Sequence, residues 1–458
     1  MAPHSSPGPA SYRQVLGHGE FRAIFAADIV SMLGNVVAAV ALTVLVFQRT
    51  HSPALAASVM ALAFLPYLFG GALLGAAADR LPARRVLVGC DLISAALVGA
   101  MVIPGIPVAG LLGLLFVAGL VSPVYAGARS ALLPEVLAPG PRYVLGRALL
   151  RMVVQSAQIV GYGLGGLLLA ALSPRGALAA DALSFAASAA VLRFGTAARQ
   201  PRAGGAGSMA RDSLAGLRAV FGHRQVRRIL LFSWLVPACA VAPEALAAPY
   251  VTHIGLPARA AGFLLMGIPA GTVAADVIAA RLLPTWLQRR AVLPAGLVVF
   301  APLAAFATLP DFGVAIGLLV ICGLGSAWGA GLDGLLVEAA PEHLRSRALA
   351  ISSAGLMFTQ GIGFALWGLA GQFAPLVLVI PGAAVAGTAV VIVLRPPGGP
   401  RPASRRSGLS RRSGLSWQTR RTAPPSAPRW PASRTRRWPG SGPAGPSRRR
   451  GPDPGRAR

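Results

Sequence analysis

The sequence predicts an all-α, polytopic membrane protein of about twelve transmembrane helices in two six-helix pseudo-symmetric bundles. Three observations carry this. Hydrophobic residues make up 55% of the 458 positions and charged residues 12%, with a mean hydropathy of +0.64; a soluble domain of that composition would lack polar surface. The apolar residues fall in runs such as Ile24 to Phe47 and Ala54 to Ala78, each long enough as a helix to cross ~30 Å of hydrocarbon. Arginines are dense in every second loop between runs and sparse in the others.

In order, the runs place spans near residues 22–48, 54–78, 86–104, 107–128, 148–172 and 175–194, then 228–252, 258–281, 290–309, 312–337, 348–371 and 374–394. Turn residues end them abruptly, as in Pro104-Gly105-Ile106-Pro107, Ser173-Pro174-Arg175-Gly176 and Leu309-Pro310-Asp311. Between such turns a helix is required, because lipid satisfies no backbone polar group.

The chain contains no lysine, so arginine alone reports orientation. With a cytoplasmic amino terminus, the inside loops hold Arg80, Arg84, Arg85, Arg129, Arg142, Arg147 and Arg151, and later Arg281, Arg289, Arg290, Arg345 and Arg347. The outside loops hold only Arg49, Arg175 and Arg259. The positive-inside rule is then obeyed at each crossing, and both termini are expected in the cytoplasm of a bacterial cell. Residues 1–20 are polar and form a cytoplasmic segment, with the first apolar run staying in the bilayer as an uncleaved anchor.

Residues 196–227 form a cytoplasmic central loop dividing an amino-terminal bundle, 21–195, from a carboxy-terminal one, 228–394. Within that loop, 208–221 reads as a short amphipathic helix. Residues 395–458 are rich in Arg, Pro, Ser and Gly, repeat Arg-Arg-Ser-Gly-Leu-Ser in tandem, and read as a disordered cytoplasmic tail. A net charge of +28 is compatible with nucleic-acid binding, but much of it sits in this tail without a folded basic face. Anionic lipid headgroups, which attract each nearby arginine by about 1 kcal/mol, are the expected partner, and no nucleic acid is. Cys90, Cys239 and Cys322 are isolated in apolar spans and the six histidines are scattered, so no disulfide framework, metal or cofactor is expected. The chain reads as a monomer.

The two halves echo each other. Leu132-Leu133-Pro134-Glu135 matches Leu335-Leu336-Val337-Glu338, Arg147-Ala148-Leu149 matches Arg347-Ala348-Leu349, and Gln158 with Gly161 matches Gln360 with Gly363. A repeated six-helix half with a midplane site between the repeats is how two-bundle transporters are built.

Residues 20–394 resemble the major facilitator superfamily. Gly75-Ala76-Ala77-Ala78-Asp79-Arg80-Leu81-Pro82-Ala83-Arg84-Arg85 is similar to its Gly-x-x-x-Asp-Arg-x-Gly-Arg-Arg signature, with Pro82 and Ala83 departing from it. The resemblance implies that Gly75, Asp79, Arg80, Arg84 and Arg85 help to latch the inward gate. The Asp-Arg-Leu-Pro form, the span-three acid Asp91 and Asp181-Ala182-Leu183-Ser184-Phe185 resemble the drug and siderophore exporter branch, which includes macrolide-efflux and enterobactin exporters. Gly161, Gly163, Gly165 and Gly166 resemble an antiporter motif, with Tyr162 standing where that motif has proline.

These motifs also have purely structural readings. Asp79 among arginines can pair across helices and face the positive end of a neighbouring helix, or can simply neutralise interfacial charge. The glycine cluster can be a hinge, or can serve close helix packing. Intramembrane acids cost about 2.5–3.5 kcal/mol even on a lenient scale, so Asp28, Asp91, Asp181, Glu244, Asp276 and Asp333 should face protein or water. Asp28 lies close to its helix start and reads as structural, Asp91 as paired with nearby arginines, and Asp181 as lying near Arg175. Glu244 follows Pro243 near the middle of span seven, with no arginine within a turn. That isolation makes it the first candidate for carrying a proton, ahead of Asp28 and Asp276, against a reading as a protonated acid bonded to a neighbouring helix.

The expected function is secondary active transport by alternating access, as proton-coupled efflux of a small apolar or amphipathic drug, antibiotic or siderophore. The alternative is an importer of the same fold or, further off, a non-transporting membrane protein. No catalytic constellation points to an enzyme. An ATP-driven pump would need a phosphate-binding lysine, which the chain lacks.

Overall fold

A computed structural model describes residues 12–66, 81–138, 141–199 and 218–395. Among these the secondary structure is helical, without a strand. After a one-turn helix at Tyr12–Leu16, the first half comprises α1 (Gly19–Thr50), α2 (Pro53–Phe64), α3 (Ala83–Met101), α4 (Val108–Leu137), α5 (Pro141–Ala171) and α6 (Pro174–Gly195). The second comprises α7 (Arg224–His253), α8 (Ala258–Ala279), α9 (Trp286–Thr308), α10 (Phe312–Ala339), α11 (Arg345–Phe373) and α12 (Leu376–Val393). Nine helices among the described residues are long and apolar enough to cross a membrane. Of the other three predicted spans, α3 is a 19-residue helix, α5 contains the apolar segment Ser156–Leu169, and α2 is described over 12 residues only.

The predicted turns set the helix ends. Ser52 and Ser173 precede Pro53 and Pro174, and their hydroxyls accept from the Leu55 and Gly176 amides. Gly105 takes φ +90° in the turn between α3 and α4, a conformation that disfavours any side chain.

Packing shows the pseudo-symmetry directly. In the first half α1 packs on α5 and α6, α3 on α4 and α6, and α2 on α4. Each pair recurs six helices later: α7 on α11 and α12, α9 on α10 and α12, and α8 on α10. The halves meet mainly where α2 lies along α11 and α5 along α8.

Helix continuity differs between the halves. α1, α3, α4, α5 and α6 each run unbroken. α7 is split into Arg224–Ala240, Ala242–Ala245 and Ala247–His253, with Pro237, Pro243 and Pro249 each removing a backbone donor. α8 breaks at Met266, and α10 tightens to a 3₁₀ turn at Gly325–Ala327. Residues 1–11 of the amino-terminal segment, 200–217 of the central loop with most of the expected amphipathic helix, and 396–458 of the tail lie outside the described residues.

Candidate transport site

The seam between the halves is closed by small residues in the half of the helices away from the chain ends. A Cβ on Gly262 of α8 would lie 2.6 Å from the Gly166 amide nitrogen and 2.7 Å from the Tyr162 carbonyl oxygen. Met266 and Phe263 of α8 fill the spaces beside Gly163 and Gly166. Gly161 and Gly165 face the other way, onto Val36 and Val40 of α1. The glycine cluster therefore packs on two faces at once, and α5 runs through it as one unbroken helix. Along the other seam, Phe64 stacks on Phe364 at 5.7 Å between ring centres. Gly361 and Gly368 of α11 receive Leu65 and Ala57, and the Ser52 hydroxyl donates to Gln372 Oε1 at 2.7 Å.

Glu244 lies against this seam. It occupies the four-residue piece Ala242–Ala245, between the two breaks of α7. Such discontinuities are tolerated at membrane depth where they line protein or a cavity. Glu244 is half-buried and makes no hydrogen bond or ion pair among the described residues. The piece that carries it packs on α11 of its own half and on α2 of the other. Sequence reasoning placed Glu244 deep and alone, but it did not place it where the two halves meet, which helix packing sets.

The other acids are engaged. Both Asp28 oxygens accept from the Arg129 guanidinium, and Asp28 is buried. Arg129, expected in a cytoplasmic loop, lies within α4, which continues past the predicted span end at residue 128 to Leu137. It also sits 6.0 Å from the centre of the Tyr125 ring. Among the described residues Asp91 pairs with no arginine: it accepts from the Ser188 hydroxyl at 2.6 Å, joining α3 to α6. Asp181 accepts from the Ser184 hydroxyl at 3.1 Å rather than meeting Arg175, and its second oxygen is buried without a hydrogen-bond partner among the described residues. Asp276 and Asp333 are exposed on α8 and α10, and neither is an isolated charge.

Of the gate signature, Gly75, Asp79 and Arg80 lie outside the described residues. Arg84, at the start of α3, donates to the Arg193 carbonyl near the end of α6, while Arg85 is exposed. In the second half Arg289 meets Glu338 at 2.6 Å. In the first half, Glu135, the repeat partner of Glu338, pairs with Arg199 at 3.6 Å.

The family model described as Major Facilitator Superfamily matches residues 24–332. The chain belongs to the Major Facilitator Superfamily. It is a membrane-spanning transporter, and the paired-half packing above is that superfamily's architecture. A relative from Mycolicibacterium fortuitum named "Multidrug efflux pump Tap" is 29% identical over 352 residues, 73% of this chain and 84% of its own length. Among solved structures, the nucleoside transporter NupG superposes with a TM-score of 0.64 at 15% identity, covering 81% of this chain and 99% of that one. A D-xylose-proton symporter gives 0.62 at 16% identity, covering 84% and 97%. At these identities the structures are alike in fold alone.

Proposed function

We propose that this superfamily member is a proton-coupled exporter of small apolar or amphipathic compounds, working by alternating access in a bacterial cytoplasmic membrane with both termini inside. The observation that carries the coupling is Glu244, an intramembrane acid with no hydrogen bond or ion pair among the described residues, on a broken helix piece packed against both halves. The bundles 21–195 and 228–394 act as the two moving bodies, and the small-residue contacts of α5 with α8 and of α2 with α11 form the gate on the far side. Arg84 and Arg85, with Gly75, Asp79 and Arg80, serve the opposite gate. The outward direction and a drug-like cargo rest on the efflux-pump relative, and anionic headgroups hold the basic tail of a chain that works as a monomer.

A proton moving down the membrane potential releases about 2.3 kcal/mol per 100 mV, enough for one titrating carboxyl to drive accumulation. Glu244→Gln keeps the shape of the group and removes its proton. In inverted vesicles bearing a proton gradient, the glutamine variant should lose driven substrate uptake while downhill exchange persists. Wild-type accumulation by that variant would remove Glu244 from the coupling role.

A further inference from the structure

Between α4 and α5 lies a cavity of about 170 Å³, walled by Arg129, Ser130 and Leu133 on one side and by Tyr143, Arg147 and Leu150 on the other. Its chemistry is lopsided: among the described residues two guanidiniums line it, and no carboxylate does. Arg129 is engaged by Asp28, yet its side chain remains 22% exposed, and a guanidinium has five N–H donors, more than one carboxylate uses. Arg147 is exposed, makes no ion pair among the described residues, and has the Tyr143 ring centre 5.9 Å from its guanidinium carbon. Opposite these cations, Leu133 and Leu150 are buried and give the cavity an apolar floor.

Two cations over an apolar floor match a ligand with an anionic head and a short hydrocarbon stem, because guanidiniums bind carboxylate and phosphate oxygens through paired N–H donors. Drug-sized ligands fill pockets of about 300–1,000 Å³, so this cavity is a head-group subsite rather than a whole drug pocket. We propose that the α4–α5 cavity binds the carboxylate or phosphate head of an amphipathic ligand between Arg129 and Arg147, with the stem resting on Leu133 and Leu150. This goes beyond the efflux reading, which requires no charge on the cargo. It also ties the ligand to Asp28, since anion and carboxylate then share one guanidinium.

The test is equilibrium binding, so its result does not depend on direction or coupling of transport. The full chain in phosphatidylcholine nanodiscs is titrated calorimetrically with octanoate, octyl phosphate and octanol. The two anions should bind saturably and octanol at least about tenfold more weakly. Arg147→Gln should weaken octanoate about tenfold while leaving octanol unchanged, Arg147→Lys should restore most of the loss, and Val154→Phe, which fills the cavity, should abolish binding of both anions. Native mass spectrometry of protein taken from its membrane identifies the source: phosphatidylglycerol retained by the wild type and lost in Arg147→Gln marks a lipid head, whereas octanoate counterflow in vesicles marks a transported acid. Equal binding of octanol and octanoate, or unchanged octanoate affinity in folded Arg147→Gln, overturns the proposal.

Discussion

The two halves share one helix-packing scheme and differ in what fills it. The first half is a set of continuous helices tied internally by polar side chains: Asp28 to Arg129 joins α1 to α4, and Asp91 to Ser188 joins α3 to α6. In the second half the helices equivalent to α3 and α6, which are α9 and α12, contain no acid at all. There α7 and α8 are broken and α10 tightens to a 3₁₀ turn, while α11 and α12 run on, and Glu244 is the one acid of α7. One fold thus supports two tactics. Buried pairs fix the first half as a unit, because separating them would strand charges in a low-dielectric interior. The second half keeps its interior nearly free of charge and carries the backbone interruptions, which line protein.

The largest effect that can break this comparison is expected at Arg129. Arg129→Leu leaves Asp28 buried without its cation, which should cost about 3 kcal/mol and lower the thermal midpoint in detergent clearly. The double variant with Asp28→Asn should recover most of that loss. A single variant as stable as the wild type would mean that the pair does not bind α1 to α4.

A middle-sized effect should arise at the seam. Ala at Gly262 places a methyl against backbone atoms of Gly166 and Tyr162, which cannot rotate away. Overpacking of this kind costs about 1–3 kcal/mol. Spin labels at the far ends of α5 and α8 should report a shift of about tenfold toward the separated state. Gly113→Ala, in open space on α4, should leave the distance distribution unchanged. Equal responses from the two variants would take away the seam's role as a gate.

The smallest effect sharpens the contrast from outside the bundles. Deleting 398–458 should leave membrane insertion and vesicle transport within error of the intact chain. Loss of either would make the basic tail a working part.

Much of this fold was legible because the bilayer forces long apolar runs into helices, and the repeat fixed their pairing into halves. Span ends were less legible. α4 was read as stopping near residue 128, since Arg129 looked like a loop charge, and the structure carries the helix on to Leu137 because Asp28 meets that arginine inside the bundle. The partners of Asp91 and Asp181 were misassigned for a related reason. Each was given an arginine near in sequence, whereas the serines of α6 that bind them are brought into position by helix packing or by a single turn. Glu244 was legible as isolated because no arginine lies within a turn of it. The packing of its helix piece on α2 and α11 joins segments far apart in the chain, and no local pattern points to it.

Near the far end of α7, the Tyr250 hydroxyl donates to the Pro310 carbonyl at 2.6 Å and its ring packs on Phe306 at 5.3 Å between centres. The piece Ala247–His253 is thereby anchored to the end of α9 and the loop that follows it, while Arg224–Ala240 extends beyond the two breaks as a rod of 17 residues. At about 1.5 Å per residue that rod is about 25 Å long. With one end clamped, a bend of about 10° at the breaks would carry the opposite tip about 4 Å, a displacement far larger than the change at the breaks themselves.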